Sequence, residues 1–185
     1  VTGAHDSANQ IASFSNRAGV SQGWFLSAPG VQIYTDCEAS SCWVANGTSF
    51  ASPAVAGALA LLLEAFPNLT GKQAVDILLR TARDAGDVGT DLVYGRGLLD
   101  IAQAFQPVGA TSSPQATGRA VQVAIEPGAY VGGPFGDAMS RTGALSTIGY
   151  DEYERLFRID MGAAWRMAPR RSYQPENPTP MRQSQ

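Results

Sequence analysis

Asn46-Gly47-Thr48-Ser49-Phe50-Ala51-Ser52-Pro53-Ala54-Val55-Ala56-Gly57 is the stretch on which the reading of the chain turns. A small glycine-marked turn delivers one serine to the start of a helix, and an uncharged run continues to Leu63. A helix N-terminus holds N–H groups without intrahelical acceptors and a positive potential, which suit an oxygen that becomes negative in a transition state. Pro53 is expected within the first turn, where its missing N–H is harmless, and Gly57 is expected to permit close packing one turn on. Two readings compete: a nucleophile turn, and a buried helix that a serine merely caps. The flanking sequence decides between them.

Composition bounds the answer. The chain has 185 residues, 44% of them hydrophobic and 16% charged, enough apolar material for one core and an appendage. A net charge of −3 leaves no basic footprint for nucleic acid. The uncharged run Ala54 to Leu63 is shorter than a bilayer span, so no transmembrane helix is expected. The chain opens at Val1 with no charged leader or signal-like segment, and it reads as a fragment.

Two cysteines, Cys37 and Cys42, lie five apart just ahead of the serine turn. C-x4-C without nearby histidine is a poor zinc site, leaving a small-loop disulfide or two buried free thiols. The disulfide would place the protein in an exported compartment, secreted or at a cell surface.

The segment G-T-S-x-A-S-P-x-x-A-G at 47–57 resembles the nucleophile signature of the subtilisin-like serine proteases, the subtilases. Upstream, Gly3-Ala4, then Asp6-Ser7-Ala8-Asn9-Gln10 and Ala12-Ser13-Phe14-Ser15, are similar to the strand end and turn that precede it in that family. Ala28-Pro29-Gly30-Val31-Gln32-Ile33 matches its A-P-G-x-x-I segment. Downstream, Tyr94-Gly95-Arg96-Gly97-Leu98-Leu99-Asp100 resembles the Y-G-x-G-x-x-[ND] stretch closing the catalytic domain. Four blocks in one order cover residues 1 to about 105.

The resemblance implies an α/β fold, the C-terminal part of a subtilisin-type three-layer parallel-sheet domain followed by a β-rich linker. It also implies a serine endopeptidase that acts through an acyl-enzyme on Ser49. Ser49 N–H, with the Thr48 hydroxyl as a further donor, would serve the oxyanion. The family's D-x-G strand end, its H-G-T helix start and its oxyanion asparagine find no counterpart in residues 1–185. His5, the only histidine, stands in a post-strand turn and reads as a surface residue; Asn46 is no substitute for the missing asparagine. The implied partners are a protein or peptide substrate and the N-terminal portion of the same domain, without which the chain should be inactive. A non-catalytic binding or structural module, or a secretion-linker segment derived from a subtilase, is the alternative.

Helix expectations follow from local signals. The first helix should run from about Ser49 to Ala65, apolar on all sides and enclosed by other elements, and stop at Phe66-Pro67. Thr70 to Gln73 reads as a capping box opening a second helix, with Ala74, Val75, Ile77, Leu78 and Ala82 as its apolar face. Asp100 is placed to cap a last short helix. The loop Asp84 to Asp91 could hold structural calcium, known in the family, but its spacing fits no EF-hand and a solvated loop accounts for it. Asn46-Gly47-Thr48 and Asn68-Leu69-Thr70 match the glycosylation pattern by chance.

Domain expectations are a catalytic portion at 1–105, an extension at 106–168 and a proline-rich disordered tail at 169–185. In the extension, Val121, Val123 and Ile125, then Phe157, Ile159 and Met161, alternate as strands do. Gly132 to Ala138 and Tyr150 to Phe157 are similar to the region after the protease in autotransporter-type subtilases. Two such strands cannot form an outer-membrane barrel.

Overall fold

The structure, a computed structural model, describes residues 1–38, 41–114, 120–122, 129–131, 146–160 and 165–167. The glycine segment 132–138 and the tail 169–185 lie outside the described residues. By internal contacts the chain divides into Val1–Val123 with Ile148–Phe157, and Ala124–Thr147 with Arg158–Gln185.

The first unit is built on two parallel strands, β1 (Thr2–His5) and β2 (Leu26–Pro29), in the register Thr2 to Leu26 and His5 to Pro29. Parallel strands need a covered crossover, and here residues 6–25 supply it, including a 310 turn at Gly19–Trp24. The far side of β2 is taken by the closing glycine segment: Ser27 N–H donates to Gly97 O and Leu99 N–H to Ser27 O. Gly97 has φ of +117°, and a Cβ there would stand 2.3 Å from Arg83 O, so only glycine lets this segment lie against its neighbour.

Helix α1 (Thr48–Ala65) packs on β1 and β2, and α2 (Gly71–Arg80) packs on α1. The main core joins Leu26, Ala58, Leu62, Leu69, Ile77, Leu78, Leu79 and Ala104. Complete burial of a Leu or Ile such as Leu62 or Ile77 stabilises by about 1.5–3 kcal/mol. Thr70 caps α2 as the sequence predicts: its Oγ1 accepts from Gln73 N–H, while Gln73 Oε1 accepts from Thr70 N–H. Leu79 rather than Val75 completes the buried face; Val75 is 37% exposed. Asp100 Oδ1 accepts from Gln103 N–H at the start of α3 (Ile101–Ala104).

Three expectations about α1 are corrected. The helix is not enclosed: Ala51, Ala58 and Leu62 are buried, whereas Ala56, Gly57, Ala60 and Leu61 are exposed, because the described elements meet one side only. No atom lies within 4 Å of the place a Gly57 Cβ would take, so Gly57 is not a packing glycine. The helix starts at Thr48, which makes Pro53 its sixth residue; its absent N–H leaves the Ser49 carbonyl without the usual donor. In length and composition Thr48–Ala65 would suffice to cross a membrane, unlike the shorter run read from the sequence. Its buried alanines and Leu62 nevertheless face the strands and α2, as in the core helix of a folded domain.

A hairpin, β3 (Ile33–Glu38) and β4 (Ser41–Ala45), separates β2 from α1, with Cys37 and Cys42 joined by a disulfide. Beyond α3, β5 (Ser112–Pro114), β6 (Ala120–Gln122), β8 (Ser146–Tyr150) and β9 (Leu156–Asp160) form a sheet in the order β6-β5-β8-β9. In the second unit β7 (Ala129–Val131) and β10 (Trp165–Met167) pair in parallel.

Candidate active site

The site is assembled on small residues. Ala4 on β1, Ala28 on β2 and Ala51 on α1 are fully buried and pack together, which brings the start of the helix close to the strands. Gly30, just after β2, completes this seam. A Cβ there would stand 2.6 Å from Ala4 Cβ and 2.8 Å from Gly47 O. Gly47 N–H donates to Gly30 O at 2.8 Å, so the turn before the serine is tied to the end of β2. A second tie lies beside it: Asn46 Oδ1 accepts from Gln32 N–H at 2.7 Å.

Gly47 is the N-cap of α1 and offers no side-chain oxygen to the helix. Thr48 and Ser49 are the first two helical residues, whose N–H groups have no intrahelical acceptor. Ser49 is exposed, and its Oγ lies 2.9 Å from where a Gly47 Cβ would stand. A glycine at 47 therefore keeps the space beside the hydroxyl open. The arrangement is an exposed hydroxyl on a helix N-terminus, at the carboxyl end of a parallel strand pair, with the helix dipole favouring negative charge there.

His5 is not a surface residue. The strand β1 runs through it, the residue is 6% exposed, and Nδ1 lies 3.0 Å from Ser27 Oγ. Burial, and then the nearby Arg83 charge, hold its pKa below the ordinary imidazole value, against an opposing pull from Asp6. Its hydrogen bond is to Ser27 and not to Ser49. Of the loop carboxylates, Asp84 Oδ2 accepts from Gly89 N–H and Asp91 Oδ1 from Val93 and Tyr94 N–H, while the buried Asp91 Oδ2 has no hydrogen-bond partner among the described residues. Among the described residues no group of three His, Cys, Asp or Glu side chains is placed to hold a metal ion.

The profile of the subtilase family matches residues 1–97, more than half of the chain. The chain belongs to the subtilase family. With that, the parallel strands, the helix α1 and the serine turn are the α/β elements of a subtilase fold. Subtilisin DY of Bacillus licheniformis is 40% identical over 104 residues, which are 56% of this chain and 36% of that protein. The Neisserial autotransporter lipoprotein NalP of Neisseria meningitidis serogroup B is 40% identical over 91 residues, 49% of this chain and 8% of that protein. The solved patellamide maturation protease PatA aligns with 28% identity and a TM-score of 0.47, covering 56% of this chain and 40% of that one. The chain thus spans about a third of the subtilisin and under a tenth of NalP.

Sequence reasoning missed the two ties at Gly30 and Asn46. The Pro29-Gly30 pair reads as a turn signal, and the crowding that demands glycine there comes from Ala4 and Gly47, distant in sequence. The sequence reads Asn46 only as no substitute for the oxyanion asparagine; its tie to Gln32, fourteen residues away, leaves no local mark.

Proposed function

We propose that Ser49 is the nucleophile of a serine endopeptidase. The observation that carries this reading is an exposed Ser49 on the first turn of α1, its Oγ beside a glycine Cα, within a subtilase signature. In the reaction Ser49 Oγ attacks the peptide carbonyl, its proton passes to a histidine base, and the histidine returns that proton to the amine as the C–N bond breaks to give the acyl-enzyme. In this reading Ser49 N–H, assisted by the Thr48 hydroxyl, donates to the oxyanion.

His5 is held by Ser27 and does not serve as the base. The base, its orienting aspartate and an oxyanion asparagine are therefore contributed by an N-terminal portion of the same domain, and the 185 residues alone are catalytically silent. A family that includes NalP and the subtilisins, and the Cys37–Cys42 disulfide, support an exported protein of the autotransporter type.

A fluorophosphonate probe tests the assignment. The chain alone should label at background, and the chain combined with the N-terminal portion should label at Ser49. Ser49→Ala should remove labelling and lower turnover by about 10⁶. Labelling at another residue, or labelling that survives Ser49→Ala, would overturn it.

A further inference from the structure

We propose that the hairpin β3–β4 is a substrate-recognition arm that takes extended peptides carrying basic residues among apolar ones. The proposal rests on the protease reading only in calling the occupant a substrate.

Position is the first argument. The arm is held at its base by Gly47 N–H to Gly30 O and by Gln32 N–H to Asn46 Oδ1, and Ser49 follows Asn46 by three residues. Five strand residues at about 3.3 Å each extend roughly 17 Å, the length of about five residues of an extended peptide. A peptide whose carbonyl lies at Ser49 therefore has one flank within reach of the arm.

Surface is the second. Tyr34, Trp43 and Val44 are 74%, 73% and 51% exposed. In the register Tyr34 lies opposite Val44 and Thr35 opposite Trp43, so both faces of the ribbon carry an apolar group. An isolated two-stranded hairpin is marginal in water. This one is closed near its end by Cys37–Cys42, so a covalent link holds the aromatic groups in the open instead of a core.

Charge and edges select the partner. Residues 31–47 contain Asp36 and Glu38 and no Lys, Arg or His. Indole is the most favourable aromatic face for a cation, and the paired acids attract the same groups. Among the described residues no third strand pairs with β3 or β4, so their outer edges can accept the main chain of an added strand.

The test is calorimetric titration of the purified chain with two blocked hexapeptides, one alternating leucine with lysine and one alternating leucine with glutamate. The lysine peptide should bind at least about tenfold more tightly, and added salt should narrow the difference. Trp43→Ala, and separately the pair Asp36→Asn with Glu38→Gln, should each weaken it by about tenfold. The charge pair is exposed, so it carries the test if Trp43→Ala fails to fold by circular dichroism. Equal affinity for the two peptides, or folded variants that bind the lysine peptide like the unaltered chain, would sink the proposal. Fluorophosphonate labelling of the reconstituted protein is scored separately. Lost labelling with the lysine preference intact counts against Ser49 alone; intact labelling without the preference counts against the arm alone.

Discussion

Imidazole takes a proton readily only where water or a carboxylate can stabilise the cation, and position 5 offers little of either. His5 is buried beside Ser27 and near Arg83, which lowers its pKa in the folded chain. Below the ordinary value of 6.5 the unfolded chain binds this proton more readily than the folded one, so acidification favours unfolding. The contribution is complete above that value and is lost as the pH falls towards the folded pKa. Urea unfolding should therefore show a lower midpoint at about pH 5.5 than at about pH 7.5. His5→Gln should flatten that difference; an unchanged slope would show that the ring is not the source. None of this was legible in the sequence. A single histidine after a strand looks the same whether its ring meets water or a serine twenty-two residues on.

Among the elements, the turn and strand at 151–157 differ most from expectation. The sequence puts them in the extension at 106–168, and Ile148–Phe157 groups by contacts with the first unit. Arg155 is the reason. Its guanidinium is ion-paired with Asp151 at 2.7 Å and donates to the carbonyls of Ala104 and Gln106, which terminate α3. It also lies over the rings of Phe66 and Phe157. Asp151 in turn accepts from Val108, Tyr153 and Arg155 N–H. Nearby, Tyr153 hydroxyl bonds to Asp76 and receives a bond from Arg80 on α2. Both charges are almost wholly removed from water, so removing one leaves the other without compensation. Arg155→Met should destabilise by about 3–5 kcal/mol in chemical denaturation, well beyond the 0.5–2 kcal/mol expected of Thr70→Ala at the exposed capping box. The capping box was readable because its partners lie three residues apart. Arg155 was not, because its carbonyl partners lie 49 and 51 residues away.

For the whole molecule, the consequence is a unit completed from two separate stretches of chain. A chain ending at Gln106 loses the Arg155 bonds to α3 and the packing of Phe157 on Phe66. It should unfold more easily than one ending at Asp160, by at least about 3 kcal/mol, as judged by urea midpoints. Equal midpoints would show that 146–160 is an appendage after all. On the other side of the unit α1 presents Ala56, Ala60 and Leu61 to solvent, although its composition alone reads as a helix enclosed all round. The sequence by itself determined the family, the serine turn, the helix stops and the caps, because each depends on groups a few residues apart whose geometry the backbone dictates. Only the tertiary structure decided that His5 is buried, that Gly30 must be glycine, that α1 is covered on one face and that Arg155 closes the first unit. Those outcomes depend on which distant side chains exclude water from one another, and that pairing is set by the packed chain as a whole.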